Sequence, residues 1–195
     1  MTAHPADTRT SDFPADPIFR RRWSPRAMSG EAVSPEELMT LFEAARWAPS
    51  SYNSQPWRFL YARQGTPHWA PFFSLLIEFN QSWTKDAGAL VLMISRTHFA
   101  HNNQPSPTHG FDAGAAWGNL ALQGSLMGLV VHGMAGFDAA RARTLLNIPE
   151  EYAVQAMAAI GRPGPVERLP EALRAREVPS GRSPLAEIVR EGGFA

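Results

Sequence analysis

Cysteine is absent from the 195 residues. The chain therefore has no disulfide, no thiolate metal site and no cysteine nucleophile. That is compatible with a reducing cytoplasm, where we expect the protein to reside. An excess of one charge is lacking too. The 18 basic and 18 acidic side chains cancel, whereas a general nucleic-acid binder would carry a basic surplus. No nucleic-acid partner is expected. A long hydrophobic run is also missing. The most apolar stretch, 120–131, is interrupted by Gln123, Gly124, Ser125 and Gly128. It is too short and too broken to span a bilayer, so no membrane partner is expected. Residues 1–17 lack the apolar core of a signal peptide and are rich in Pro, Asp and Thr, which predicts a flexible N-terminal arm. The six histidines are scattered, and no metal site is expected. No Gly-rich dinucleotide fingerprint follows a predicted strand. Repeats, low-complexity tracts and linkers are likewise absent.

What remains is a chain of the length of one domain, assigned to 18–195, with 44% hydrophobic residues to build its core. Ser34-Pro35-Glu36-Glu37 carries the marks of a helix start: a capping serine, a proline at the first helical position and a glutamate placed to close a capping box. Leu38, Leu41, Phe42 and Ala45 then share one face, and Pro49 ends the helix. Strands are predicted at 58–63, 89–95, 129–132 and 154–160. The run 89–95 (ALVLMIS) is continuously apolar and reads as a strand buried on both faces. Helices are predicted at 112–127, rich in Ala and Gly, and from a cap at Asp138 through Leu146. Residues 67–76 read as a helix or irregular segment, 163–179 as an exposed connection, and 183–189 as a short apolar element. The methionines suit core filling. The pattern is α+β, with helices around a sheet.

Five constellations could carry chemistry. In Arg22-Trp23-Ser24-Pro25-Arg26, alternation in an extended chain would put Arg22, Ser24 and Arg26 on one side. Guanidinium forks and a hydroxyl suit phosphate, and a solvated basic run is the plainer alternative. Pro49-Ser50-Ser51-Tyr52-Asn53-Ser54-Gln55-Pro56-Trp57 is a dense polar turn between a helix and a strand. By itself it reads equally as a capped turn with Trp57 in the core. Asn80-Gln81-Ser82-Trp83 taken alone reads as a polar loop before a strand. His132-Gly133-Met134-Ala135-Gly136-Phe137-Asp138 follows a strand and precedes a helix, and a tight turn with a helix cap would explain it. Ser180-Gly181-Arg182-Ser183-Pro184-Leu185 brings a further guanidinium near the C-terminus. Gly161-Arg162-Pro163 reads as structural.

Taken in this order, the five segments resemble the nitroreductase family of flavin mononucleotide (FMN) oxidoreductases over about residues 18–190. The resemblance implies a three-layer α/β/α sandwich with a mixed, mainly antiparallel sheet, a homodimer, and FMN at the subunit interface. It implies that Arg22, Trp23, Ser24, Arg26 and Arg182 hold the phosphate and ribityl chain, while Arg20 and Arg21 fall outside the matched spacing. It places Pro49, Ser50 and Ser51 on the flavin of the other subunit, with Asn53 and Gln55 bracing their loop. Asn80 would hydrogen-bond the pyrimidine end, and Gly133, Met134, Ala135 and Gly136 would lie against the isoalloxazine. The chain departs from the family at Trp83, where some relatives have Lys, at Ala135, where some have Glu, and at Ser180, where Lys is common. The implied reaction is ping-pong transfer from NAD(P)H, bound transiently, to nitroaromatic, quinone or related small acceptors. The flavin carries the chemistry, and no catalytic side chain is assigned. A specialised flavin-dependent dehydrogenase, a flavin-destroying oxygenase and a non-catalytic flavin-binding module are the alternatives.

Overall fold

The computed structural model describes residues 5–194. Eight α-helices occur among them: α1 Pro17–Arg21, α2 Pro35–Arg46, α3 Trp69–Phe73, α4 Glu78–Thr84, α5 His109–Leu126, α6 Ala139–Leu145, α7 Glu171–Arg174 and α8 Leu185–Ile188. The four strands are β1 Trp57–Arg63, β2 Ala89–Arg96, β3 Val130–Met134 and β4 Tyr152–Gly161. They form one sheet in the order β1-β2-β4-β3. Every neighbouring pair runs antiparallel, so among the described residues the sheet is antiparallel throughout rather than mixed.

Helix α2 starts as its sequence dictates. Ser34 Oγ accepts from Glu37 N, and the Glu37 carboxylate accepts from Ser34 N, closing the capping box. Its Leu38, Leu41 and Ala45 pack with Ala116, Leu120 and Ala121 of α5 over Val91, Val131, Ala158 and Ile160 on one face of the sheet. The alternate residues Leu90, Leu92 and Ile94 of β2 point the other way. There they meet Phe72, Leu75, Trp83, Met134 and Met157. Strand β2 is thus buried on both faces, as a continuous apolar run requires, and the three layers follow.

Several expectations are corrected. Asn80-Gln81-Ser82-Trp83 is not a loop but most of α4. No side chain caps that helix. It is anchored instead by tertiary contacts, with Ile77 N donating to the Gly136 carbonyl. The 163–179 connection is pinned by Leu169 and Leu173, both buried in the core. Most of its charged residues are exposed around that apolar pair, whereas Glu177 turns inward. Met39, expected as core filling, is exposed.

The 1–17 arm also differs over its described part. Residues Pro5–Thr8 form a 3-10 turn with Ala6 fully buried, and Arg9 Nη1 donates to the carbonyls of Arg20 and Arg22. Residues 1–4 of the arm lie outside the described residues.

Candidate functional site

Two cavities meet on the α5 side of the sheet. Arg22, Ser24 and Gly133 line both of them. The larger, about 670 Å³, runs between α5 and the sheet, past Met93, Trp117, Met134 and Ala135. The other, about 490 Å³, is lined mainly by cations: Arg9, Arg22, Arg26, Arg176 and Arg182, with Trp23 and Ser180 beside them. One end of the combined space therefore suits a flat, largely apolar group, and the other suits an anion.

The basic end is assembled from segments far apart in sequence. Residues 22–26 run in extended form after α1, and Arg22 Nη1 donates to Ser24 Oγ at 3.3 Å. This is the same-side placement expected of alternating residues. Their course is held by the C-terminal segment, where Glu177 Oε1 accepts from Arg26 N at 2.6 Å and Ala27 N at 2.8 Å. A carboxylate that takes two main-chain donors fixes a loop firmly. Strand β3 supplies a third tie: His132 Nδ1 donates to the Pro25 carbonyl at 2.9 Å. Its ring packs on Trp83 with centroids 4.6 Å apart. Burial holds the His132 pKa below its ordinary value, partly offset by the bond to Pro25.

The guanidinium groups at this end are not matched by acids. Burial, then the nearby Arg182, lowers the Arg22 pKa, and Arg26 Nε is buried without a hydrogen-bond partner. A cluster of that kind favours a bound anion. Arg20 and Arg21 stand apart from it. Arg20 Nη1 donates to the Arg9 carbonyl, and Arg21 pairs with Asp7. Arg162 is structural, pairing with Glu37 at 2.8 Å.

At the other end, the glycines at the end of β3 and in the loop to α6 answer to internal packing. A Cβ on Gly133 would approach the Trp117 ring to 2.9 Å, and one on Gly136 would stand 2.6 Å from Asn80 Nδ2. Asn80 itself is buried behind this loop. Its Nδ2 donates to the Gly136 carbonyl at 2.9 Å, and its Oδ1 accepts from Trp83 Nε1 at 3.3 Å. Asn80 thus braces the loop that lines the cavity. Gly133, Met134 and Ala135 are on the cavity wall, whereas Asn80 and Gly136 stand behind it.

Pro49, Ser50 and Ser51 do not line the cavity of their own chain. Ser51 N donates to Asp112 Oδ2 at 3.2 Å, which ties the turn to α5. Ser50 Oγ accepts from Gln55 N, and Gln55 Nε2 donates to the Asn53 main-chain carbonyl, so Gln55 braces the turn. Tyr52, Asn53 and Gln55 all have positive φ. That left-handed backbone is uncommon for residues other than glycine, and a tyrosine held there is a strained feature. Trp57 is in the core.

Sequence reasoning missed several lining residues, among them Arg9, Arg176, Trp117 and Gln155. Gln155 is skipped in the β2–β4 register between Met93–Ala156 and Ile94–Val154 and so forms a bulge. Bulges turn side chains out of their regular alternation. Gln155 Nε2 donates to Ser95 Oγ at 2.8 Å, and that hydroxyl lies 2.7 Å from His109 Nδ1 at the start of α5. A glutamine inside an apolar strand gave the only signal. Among the described residues no cluster of three or more His, Asp or Glu is placed to hold a metal ion. Among the described residues, no helix is long and apolar enough to cross a membrane.

The chain is similar to known proteins. Protein DrgA of Synechocystis sp. is 28% identical over 200 residues, covering 89% of this chain and 93% of that protein. A crystal structure described as an oxidoreductase containing FMN superposes with a TM-score of 0.94 at 46% identity, covering 100% of this chain and 99% of the other. A putative nitroreductase from Desulfovibrio desulfuricans, in complex with FMN, has a TM-score of 0.72 at 27% identity, covering 95% and 100%. A profile of the nitroreductase family matches residues 19–162. The chain belongs to the nitroreductase family.

Proposed function

We propose that this protein is an FMN-dependent oxidoreductase that passes electrons by a ping-pong route from NAD(P)H to nitroaromatic, quinone or related small acceptors. The observation that carries the reading is the joined cavity, cationic at one end and apolar at the other, with Arg22, Ser24 and Gly133 at the junction. FMN has a matching shape: a planar ring system on one side of a polar chain and a phosphate on the other. Arg26 lines the cationic end, where that phosphate would lie. When bound, the flavin supplies the two-electron relay between donor and acceptor. The chain's own residues bind and orient. Arg22, Ser24, Arg26 and Arg182 neutralise and position the phosphate end, with Trp23 beside them. The end of β3 at Gly133 and Met134, with Ala135 after it and Asn80 propping the loop behind, shapes the wall against the ring. Ser180 adds no charge where relatives often carry Lys, and the surplus of arginines compensates for that.

A homodimer belongs to the same reading. Gly114 and Gly118 of α5 face open space. Around the 49–51 turn, Trp47, Tyr52 and Phe111 are 74%, 84% and 83% exposed. Large apolar side chains grouped around a strained turn favour coverage by a second subunit. In that assembly Pro49, Ser50 and Ser51 would reach the partner's flavin. A cytoplasmic location is proposed with it.

The test is direct. Protein purified in the dark should be yellow, and heat should release a cofactor that co-elutes with FMN on chromatography. NADH or NADPH should bleach it anaerobically, and a quinone or nitroaromatic should restore the colour. Recovery of FAD, or a protein that cannot bind added FMN, would overturn the reading. FMN that neither nicotinamide can reduce would leave only a binding module. For the shared site, an Arg26→Ala subunit mixed with a Ser50→Trp subunit should regain activity through the one intact site of the mixed dimer. A fully active monomer would remove the trans assignment.

A further inference from the structure

Arg9 is outside the Arg22–Arg26 motif and outside the matched residues 19–162, yet it lines the cationic cavity alongside Arg22, Arg26 and Arg182. Its guanidinium is fixed in place: Nη1 donates to the Arg20 carbonyl at 2.8 Å and to the Arg22 carbonyl at 3.1 Å. Arg20 Nη1 reciprocates on the Arg9 carbonyl at 2.8 Å. These partners are neutral. Among the described residues no ion pair neutralises Arg9, and its Nε is buried without a hydrogen-bond partner. A guanidinium without a counter-charge that lines a cavity beside other arginines favours an anion in that cavity. Burial, and then the fields of Arg182 and Arg22, push its pKa down, the mark of a cation among cations. The single carboxylate at this end, Glu177, gives Oε1 to the main chain of Arg26 and Ala27.

We propose that Arg9 is a ligand for a phosphate-class anion bound at the basic end, and that the anion thereby fastens residues 5–16 to the body of the protein. The identity of that anion as the cofactor's phosphate rests on the FMN reading. The Arg9 site itself rests on the geometry. The N-terminal segment then acts as a strap: its Arg9 closes the cationic ring, and the bound anion relieves the repulsion that otherwise loosens it. Binding and ordering of the strap are therefore linked.

A simple staple role for Arg9 would tie the segment down equally with or without ligand, and this separates the two possibilities. Hydrogen exchange of peptides covering 5–16 is measured on FMN-free protein, alone, with FMN, and with inorganic phosphate. In the wild type, either ligand should slow exchange of this segment severalfold. Arg9→Gln should bind FMN about tenfold or more weakly, as the loss of a charge-assisted hydrogen bond implies, and should lose the ligand-dependent protection. Arg9→Lys keeps the charge without the fork and should fall between the two. Arg21→Gln breaks the tether to Asp7 away from the cavity. It should loosen the segment and lower FMN affinity less than Arg9→Gln does, while ligand-dependent protection of the segment persists.

Exchange of the wild-type segment that ignores both FMN and phosphate would overturn the proposal, as would an Arg9→Lys or Arg9→Gln protein that binds both as the wild type does. Phosphate protection in a protein that takes up no FMN would keep Arg9 as an anion ligand and remove the cofactor reading. Tight FMN binding unaffected at Arg9 would do the reverse.

Discussion

The apolar end of the cavity is walled by α5, β3 and β4, elements buried in the layered core, and its residues owe their positions to that packing. The basic end is made of irregular chain from residues 9–26 and 176–182. It is held by hydrogen bonds from side chain to main chain and carries mutually repelling charge. The first end exists whenever the fold exists. The second gains stability when an anion arrives, because cations gathered without counter-charges oppose their own assembly. The difference separates rigid placement, which the core supplies, from affinity, which electrostatics supplies on a lightly held frame.

The largest break in that comparison comes from the core side. Leu120 of α5 is essentially fully buried between α2 and the sheet. Leu120→Ala should destabilise the protein by about 2–5 kcal/mol through lost burial and a residual cavity. Chemical denaturation should show this whether or not FMN is present. An anion-end substitution should behave in the opposite way. Arg26→Ala should weaken FMN binding by about ten- to a hundredfold, the worth of a charge-assisted bond, and leave the FMN-free protein as stable as before or slightly more stable. A flavin titration paired with thermal unfolding of the FMN-free protein checks both halves. Arg20→Ala, which loses only a contact to the Arg9 carbonyl, should weaken binding much less. Equal losses at positions 20 and 26 would mean that the two arginines share a role.

Legibility in the sequence follows the same division. Helix α2 could be read because its cap and its apolar face are local, within four residues of each other. Strand β2 could be read because burial on both faces leaves an unbroken apolar run. Helix α4 could not. Its polar sequence and uncapped start say loop, and only the distant Gly136 carbonyl and the packing of Trp83 make it a helix. At the site, residues 22–26 were legible as a motif by resemblance, since alternation is a local property. Arg9 was not, because its partners at Arg20 and Arg22 depend on how the segment folds back. Gln155 was hidden because a bulge leaves no mark on strand composition. At Asn80 and Gly136 nothing in the sequence marks the hydrogen bond that ties the two residues together, because they lie far apart in the chain.

That brace gives an intermediate effect that sharpens the comparison. Asn80→Ala removes the donor to the Gly136 carbonyl and leaves Trp83 Nε1 without its acceptor. The loss should be about 1–3 kcal/mol of local stability. FMN should remain largely bound through the arginines, while anaerobic stopped-flow reduction by NADH or NADPH slows. An unchanged reduction rate would show that loop position does not govern the reaction.

The smallest effect is expected at His132, which joins the two ends by donating to Pro25 on one side and packing on Trp83 on the other. Burial favours its neutral form, so its folded pKa lies below the ordinary histidine value of about 6.5. The unfolded chain therefore binds a proton here before the folded one does. Stability from this residue is fully present above about pH 6.5 and declines as pH falls toward the folded pKa, with a slope of at most about 1.4 kcal/mol per pH unit. Other groups titrate over the same range, so the informative quantity is the difference between wild type and His132→Gln, which cannot take up the proton. Thermal unfolding from pH 8 to pH 5 should show the wild type losing more stability than the variant below pH 6.5, with parallel curves above it. Adding FMN should lower wild-type affinity at acid pH only if charging His132 displaces Pro25 and the arginines that follow. Parallel stability curves throughout would mean that the imidazole accepts its proton in place, and that the two ends of the cavity are coupled through Trp83 packing rather than through the bond to Pro25.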